Sequence, residues 1–301
     1  MAEWDAEVEV DEVLARALIT QRFPALECSS LRRVGEGWDN VVWVTGDGVA
    51  FRFPRRQVAI PGVEREIALL PVLAPRVTVA IPDAAYAGTP CARFPWPWFG
   101  SRFIAGREIA AAGLGDAERI ALAPQLGGFL RTLHDLDLDL GAAAALPTDP
   151  MCRTQMAVRV PRTRAALVEV APLWSAPSAV IDLLEQAEQL PAPQATTLVH
   201  GDLHVRHLLI DDAGALVGVI DWGDMCRAHP CADLSLFWSL LPPAGRDAFL
   251  AAYGPVEEDG LLRARILAIC LCALLATYAH ATGMVDLEHE ALTGLERTLV
   301  D

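Results

Sequence analysis

The sequence predicts an α+β fold in two lobes. Three observations predict it. Strand-like runs crowd the first hundred residues, helical periodicity fills the following two hundred, and 301 residues exceed the roughly 150 of an ordinary single domain. Hydrophobic residues make up 53% and charged residues 21%, so a sizeable core is available and the low-hydrophobicity, high-charge pattern of disorder is absent. The boundary is expected at 104/105, with a β-rich lobe over 1–104, a helical lobe over 105–301, and a ligand cleft between them.

Taken in order, apolar residues at Val10, Val13, Leu14, Ala17 and Leu18 predict a helix that ends before Phe23-Pro24. Leu31–Gly35, Val41–Val44 and Val49–Phe53 are short β-branched and aromatic runs separated by glycines, an antiparallel meander whose clearest turn is Thr45-Gly-Asp-Gly. Val63–Leu73 predicts a helix that Pro71 kinks or ends. The proline- and aromatic-rich Phe94–Gly100 reads as an edge strand running into a connector at Gly100–Gly106. Beyond Asp116 come a helix over Ile120–Leu136 and one over Arg162–Leu190. Strand-like runs follow at Thr197–Val199 and Leu216–Ile220, and helices resume from Asp233. Asp135, Asp137 and Asp139 read as a solvated turn.

Charge and cysteine usage narrow the class. With 24 basic and 39 acidic residues the net charge is −15, which repels a phosphate backbone and argues against a nucleic-acid partner. The seven cysteines are scattered without a C-x-x-C, as in a reduced cytoplasmic protein, and Cys270 and Cys272 read as core filler. The acidic start lacks a signal-peptide pattern, and the apolar run Ile266–Ala279 is too short to span a bilayer. A cytoplasmic monomer or weak dimer with no membrane partner is expected.

The chemistry concentrates in Leu198–Ile210, which contains His200-Gly-Asp-Leu-His-Val-Arg-His207, and in Val219-Ile-Asp-Trp-Gly-Asp224. Each begins as a short apolar strand and breaks into polar residues at its end. If those strands pair, Asp202 and Asp221 project into one pocket, where two carboxylates and His207 can hold a divalent ion while one acid serves as base. His200 reads as structural, orienting the loop. A His200/His204 zinc pair is the alternative, opposed by Gly201, which disfavours a helix carrying both.

These motifs resemble the catalytic loop and metal turn of the aminoglycoside phosphotransferase and choline kinase-like families, macrolide phosphotransferase-like members included. Those families have the protein-kinase-like fold. The resemblance implies that Asp202 accepts or orients the proton of a substrate hydroxyl and that Asp221 and His207 bind Mg2+. His207 stands where most relatives have Asn. It further implies that Gly35 and Gly37 belong to a hairpin covering the nucleotide. Arg52 stands at the phosphate-binding lysine position, and Glu66 is its partner, with Glu64 the fallback. Ser101, Arg102, Phe103 and Ile104 would form the hinge that meets the nucleobase of ATP or GTP. Arg52 could instead join Arg55 and Arg56 in a solvated basic patch. Asp233 reads as a helix cap that also braces the catalytic loop.

The implied activity is transfer of the γ-phosphoryl group of ATP or GTP to a hydroxyl of a small molecule. An aminoglycoside-type antibiotic is the leading acceptor on charge. A macrolide or another small molecule is the alternative, since no acid lies between Asp233 and Asp247 and Phe237 and Trp238 could line an apolar pocket. A non-catalytic, pseudokinase-like nucleotide binder is the further alternative, supported by Arg52.

Overall fold

The computed structural model describes residues 6–37, 39–137 and 146–301; Trp38 and Asp139 lie outside the described residues. The chain divides into two compact units, Met1–Ile104 and Ala105–Asp301.

The first unit begins with helix α1 (Glu12–Arg22), whose N-terminus is capped by Asp11 accepting from the Leu14 amide at 2.8 Å. Strands β1 (Arg32–Glu36), β2 (Asn40–Val44) and β3 (Val49–Pro54) form the expected meander. The β2–β3 turn closes through Gly48 N–H donating to Thr45 O at 3.0 Å, with Gly48 at φ 75°, a conformation glycine adopts without Cβ strain. Helix α2 (Ile60–Leu73) starts earlier than its apolar stripe and carries Pro71 inside rather than ending there. Strands β4 (Tyr86–Gly88) and β5 (Trp98–Arg102) complete a five-stranded sheet of order β1-β2-β3-β5-β4.

The expected edge strand is therefore interior: β5 pairs with β3 on one side and with β4, unseen in the sequence, on the other. The prolines responsible for the edge reading, Pro95 and Pro97, precede the strand and remove no ladder donor from it. Alternate residues of β3 face one core, where Phe51 and Phe53 join Phe94, Trp98 and Trp43 with Ala15, Leu18 and Ile19 of α1. Phe53 stacks on Trp98 at 5.0 Å between centroids.

The second unit opens with β6 (Arg107–Glu108) and α3 (Asp116–His134). The single helix expected over Arg162–Leu190 is two, α4 (Met156–Val170) and α5 (Ser178–Glu188), separated by a segment holding Pro172 and Pro177. Then come β7 (Thr197–Val199), β8 (Leu208–Ile210), β9 (Leu216–Val219) and β10 (Cys226–Ala228). Helices α6 (Ser235–Ser239), α7 (Pro243–Tyr253), α8 (Glu258–Thr282) and α9 (Val285–Arg297) finish the unit. Helix α8 is long and apolar enough by composition to cross a membrane, but 67% of its most apolar window is buried. It packs with α4, α5 and α9 around one core that includes Cys272, and Cys270 is buried too. Arg119 of α3 and Glu290 of α9 make a buried two-pronged ion pair, at 2.9 and 2.6 Å.

The two motif strands do not pair with each other. β7 pairs with β10, while β9 pairs with β8, which in turn pairs with β6. Two small ladders thus replace the single strand pair that the sequence invited. One is the two-stranded β7–β10 ladder; the other is three-stranded, with β8 between β6 and β9.

Candidate functional site

In the second unit the loop after β7 carries Asp202 and the turn after β9 carries Asp221. Since their strands do not pair, side chains and loop backbone bring them together. Ile220 N–H donates to His207 O at 2.9 Å, and His200 Nε2–H donates to Ile220 O at 3.0 Å. His200 Nδ1 accepts from the Asp202 amide at 3.2 Å, so the ring is neutral, with its proton on Nε2. Burial pushes the His200 pKa down despite Asp233 nearby. Both its nitrogens are engaged, which removes it from any zinc pair with His204.

Asp233 holds the loop from beneath. Its carboxylate accepts from the amides of His200 at 2.7 Å and Gly201 at 2.9 Å, and from His134 Nε2 at 3.1 Å. His134 in turn meets the Tyr253 hydroxyl through Nδ1 at 2.8 Å. Burial would raise the Asp233 pKa, but the His134 bond and charge outweigh it and hold the carboxyl low. The expected brace is present. The expected cap is not, because α6 starts after Leu234 with no side-chain cap. Gly201 sits at φ 86°, and a Cβ there would lie 2.4 Å from Asp224 O, so both backbone and space demand glycine.

His207 Nδ1–H donates to Asp202 O at 2.8 Å, which turns Nε2 toward Asp221 Oδ2 at 3.5 Å. An imidazole nitrogen and a carboxylate oxygen so placed, the ring oriented by its other nitrogen, are a pair that could ligate one cation. Asp221 has φ 65°, a left-handed conformation that an aspartate adopts at a cost. The His204 ring lies 3.8 Å from that of His207 between centroids, tilted by 31°, and its Nε2 lies 3.8 Å from Asp202 Oδ2. Burial, and next the neighbouring His207 ring, push its pKa down to about 3, leaving a neutral ring. Ligating atoms of Asp202, His204 and His207 all lie within 4.8 Å of one another.

The residue that sequence reading missed is Arg153. Its Nη2 donates to Asp202 Oδ1 at 2.6 Å and to Asp224 Oδ2 at 2.7 Å. Burial opposes charge on both partners, but the pairing prevails: the Asp202 carboxyl is held well below the usual carboxylate range and the Arg153 pKa is raised. Arg153 lies 49 and 71 residues from these partners, beyond any spacing rule. The nearest local signal was Thr148-Asp-Pro, a turn signature.

In the first unit Arg52 Nε lies 3.5 Å from Glu66 Oε2, with side chains 16% and 1% exposed. With its amide oxygen turned inward, Asn40 accepts from Arg52 Nε at 3.2 Å and Nη2 at 2.8 Å. Glu64 is exposed. Arg55 bonds Gly37 O and Arg56 pairs with Asp39, each at 2.9 Å, so the three arginines do not form one solvated patch. Gly35 follows a register shift in the β1–β2 hairpin, and Gly37 N–H donates to Asn40 O at 2.9 Å. Ser101 and Arg102 end β5, where the Ser101 hydroxyl accepts from the Ala84 amide at 2.9 Å. Phe103 N–H donates to Gly48 O at 2.8 Å, and Ile104 closes the unit.

Residues 30–267 match the model of the phosphotransferase enzyme family, abbreviated APH. The chain belongs to this family. A phosphotransferase-family fold also agrees with solved structures. The GDP and kanamycin complex of the aminoglycoside phosphotransferase APH(2")-IIIa has a TM-score of 0.69 at 23% identity, covering 95% of this chain and 98% of that one. Macrolide 2'-phosphotransferase from Brachybacterium faecium has a TM-score of 0.61 at 24% identity, covering 95% and 97%. The architecture is thus the kinase-like one, a β-sheet N-terminal region followed by a helical C-terminal region. An uncharacterized Bacillus subtilis protein, YcbJ, is 25% identical over 213 residues, 65% of this phosphotransferase-family chain and 64% of that protein's length.

Proposed function

We propose that this chain transfers the γ-phosphoryl group of ATP or GTP to a hydroxyl of a small molecule. The observation that carries the proposal is the facing of His207 Nε2 and Asp221 Oδ2 at 3.5 Å, beside Asp202, in a chain of the phosphotransferase family. Solved structures of like fold include complexes with GDP and with ATP, which supports a nucleoside triphosphate donor.

The donor set fits Mg2+. A carboxylate oxygen and an imidazole nitrogen whose other ring nitrogen is tied to a carbonyl make an oriented pair, and water would complete the shell. Held by Asp221 and His207, the ion would supply neutralisation of phosphoryl charge. Asp202 has a different role. Its low pKa makes it a weak ground-state base, so it orients the acceptor hydroxyl and takes the proton only as the oxygen–phosphorus bond forms. Arg52, braced by Glu66, is the proposed phosphate-binding cation. Gly35 and Gly37 are the proposed cover, and the backbone of Ser101 to Ile104 is the proposed nucleobase contact.

The aminoglycoside acceptor favoured by overall charge has less support locally, because Arg153 already occupies two of the carboxylates that an ammonium group would seek. Pairing of Arg52 with Glu66 weakens the pseudokinase alternative, since the arginine keeps the bracing of a phosphate-binding residue. The test is nucleotide consumption over aminoglycosides, macrolides, choline and simple sugars with Mg2+ present. Acceptor-dependent consumption, lost on Asp202→Asn, is the expected result. Consumption equal in both proteins for every compound would overturn the reading.

A further inference from the structure

The loop that delivers Arg153 is built before the arginine reaches its partners. Thr148 bridges to Arg227 of β10, the Asp149 amide donates to Arg227 O at 2.9 Å, and Arg227 N–H donates to Pro147 O at 2.8 Å. Asp149 then folds the loop around its own carboxylate. Oδ1 accepts from the Arg153 amide at 2.8 Å, while Oδ2 accepts from the Thr154 amide at 3.0 Å and hydroxyl at 2.7 Å. Arg159 and Arg162 close the other side through Met151 O at 3.1 and 3.2 Å. None of these bonds uses the Arg153 side chain, so the loop holds its shape without it.

Strain marks the same place. Among the described residues, the non-glycine positions with positive φ are Ala84, Asp149, Cys152 and Asp221. Two of them lie in this loop and a third is the proposed metal carboxylate. Unusual backbone persists where surrounding structure over-determines it, which is common around binding and catalytic groups.

Both Arg153 ion pairs run through Nη2 alone. Among the described residues Nε and Nη1 have no hydrogen-bond partner, although the side chain is only 11% exposed. A guanidinium can make five N–H bonds, so donors remain beside the Asp202 carboxylate. The charge count matters equally. Arg153 with Asp202 and Asp224 sums to −1, whereas the two carboxylates alone sum to −2. The first arrangement offers donors to neutral oxygen and repels an ammonium brought near the guanidinium. The second is an ammonium site.

We propose that Arg153 is the specificity-determining residue for the phosphoryl acceptor. It selects an uncharged, oxygen-rich hydroxyl compound, such as a sugar or polyol, and excludes cationic amines from the space next to Asp202. A non-reacting oxygen of the acceptor accepts from Nε or Nη1 while the reacting hydroxyl meets Asp202. This inference rests on the phosphotransferase reading of the site.

The experiment compares wild type, Arg153→Ala and Arg153→Lys for phosphoryl transfer to simple sugars and to two cationic compounds, choline and an aminoglycoside. Calorimetric binding of the same compounds is measured alongside, and thermal denaturation confirms that each variant folds. The wild type should prefer the neutral class. Arg153→Ala should move the ratio of kcat/KM, cationic over neutral, upward by about tenfold or more, as expected when one unit charge is removed a few ångströms from a ligand ammonium. Arg153→Lys should restore most of the charge discrimination while losing affinity for the neutral acceptor, because the fork is gone. An equal fall for both classes in Arg153→Ala, with the ratio unmoved in turnover and in binding, would show a merely structural arginine. It would overturn this inference while leaving phosphoryl transfer intact. Wild-type preference for the cationic class would overturn it as well. Absence of transfer to every compound, with Asp202→Asn indistinguishable from wild type, would remove the phosphotransferase reading and this inference with it.

Discussion

Arg52 and Arg153 each meet a carboxylate, one in each unit, by different means. Arg52 sits in the middle of a strand and Glu66 on a helix 14 residues later, so each side chain's face is set by the period of a regular element and their meeting by how the two elements pack. Their Nε–Oε2 separation is 3.5 Å, loose for a bonded pair, and Asn40 shares the guanidinium. Arg153 sits on an irregular loop and meets Asp202 and Asp224 at 2.6 and 2.7 Å, the short end of charge-assisted bonds. The regular pair is held at 3.5 Å between two regular elements. The irregular one is tightly bonded and clamps the loop residue proposed to face the acceptor. Regular elements place residues cheaply but coarsely; a loop tied by its own side chains places them tightly, with unusual φ angles as the cost.

The largest effect is expected where the tight arrangement meets the chemistry. Asp202→Asn should lower kcat by roughly 10²–10⁴-fold with nucleotide affinity little changed, as steady-state kinetics and nucleotide titration would show. Near-normal turnover would mean that the clamped carboxylate is not the one facing the acceptor.

Next comes the looser pair. Arg52→Ala should cost about 2–5 kcal/mol in kcat/KM, the range for truncating one partner of a buried charge pair. Arg52→Lys should recover part of it. If Arg52→Ala kept nucleotide affinity and turnover within about twofold, the strand–helix pair would be a structural tie only.

A stability measurement separates the clamp from its foundation. Asp233→Ala orphans the buried amides of His200 and Gly201 along with His134, and should destabilise the protein by about 2–5 kcal/mol in denaturant unfolding. Arg153→Ala, whose partners are part-exposed at 27% and 39%, should cost less. The reverse order would make the clamp, not Asp233, the keystone of the loop.

The smallest and most gradual effect is that of acid. The His200 pKa lies below its ordinary 6.5 in the folded chain, so the unfolded chain binds more protons as pH falls below about 6.5. That stability is full above about 6.5 and declines below it. Asp233 also titrates low, beneath its ordinary 3.8, so its share persists above that value and is lost on further acidification. Unfolding free energy measured from pH 8 to pH 4 should therefore fall with acid, and His200→Gln should flatten the slope. Stability that rose below pH 6.5 would mean that His200 is charged in the folded protein.

The sequence by itself carried the α+β character, the β2–β3 hairpin and the motif residues, because each depends on periodicity or on turn chemistry within a few residues; the Arg52–Glu66 pairing came from the resemblance of the motifs to a family. It also carried the structural reading of His200, since Gly201 leaves no helix there. The strand partners were not legible. Three-residue strands such as β7 and β8 contain too few positions for alternation to name a neighbour, and the interior place of β5 depends on β4, equally short. Arg153 was illegible for a stronger reason. An ion pair bridging 49 residues leaves no periodic trace, and its partners become neighbours only after β7 pairs with β10 and that strand receives the 147–149 segment. Local chemistry named the groups able to move a phosphoryl. Only the tertiary structure decided which positive charge stands beside Asp202, because that placement is set by packing across the chain rather than along it.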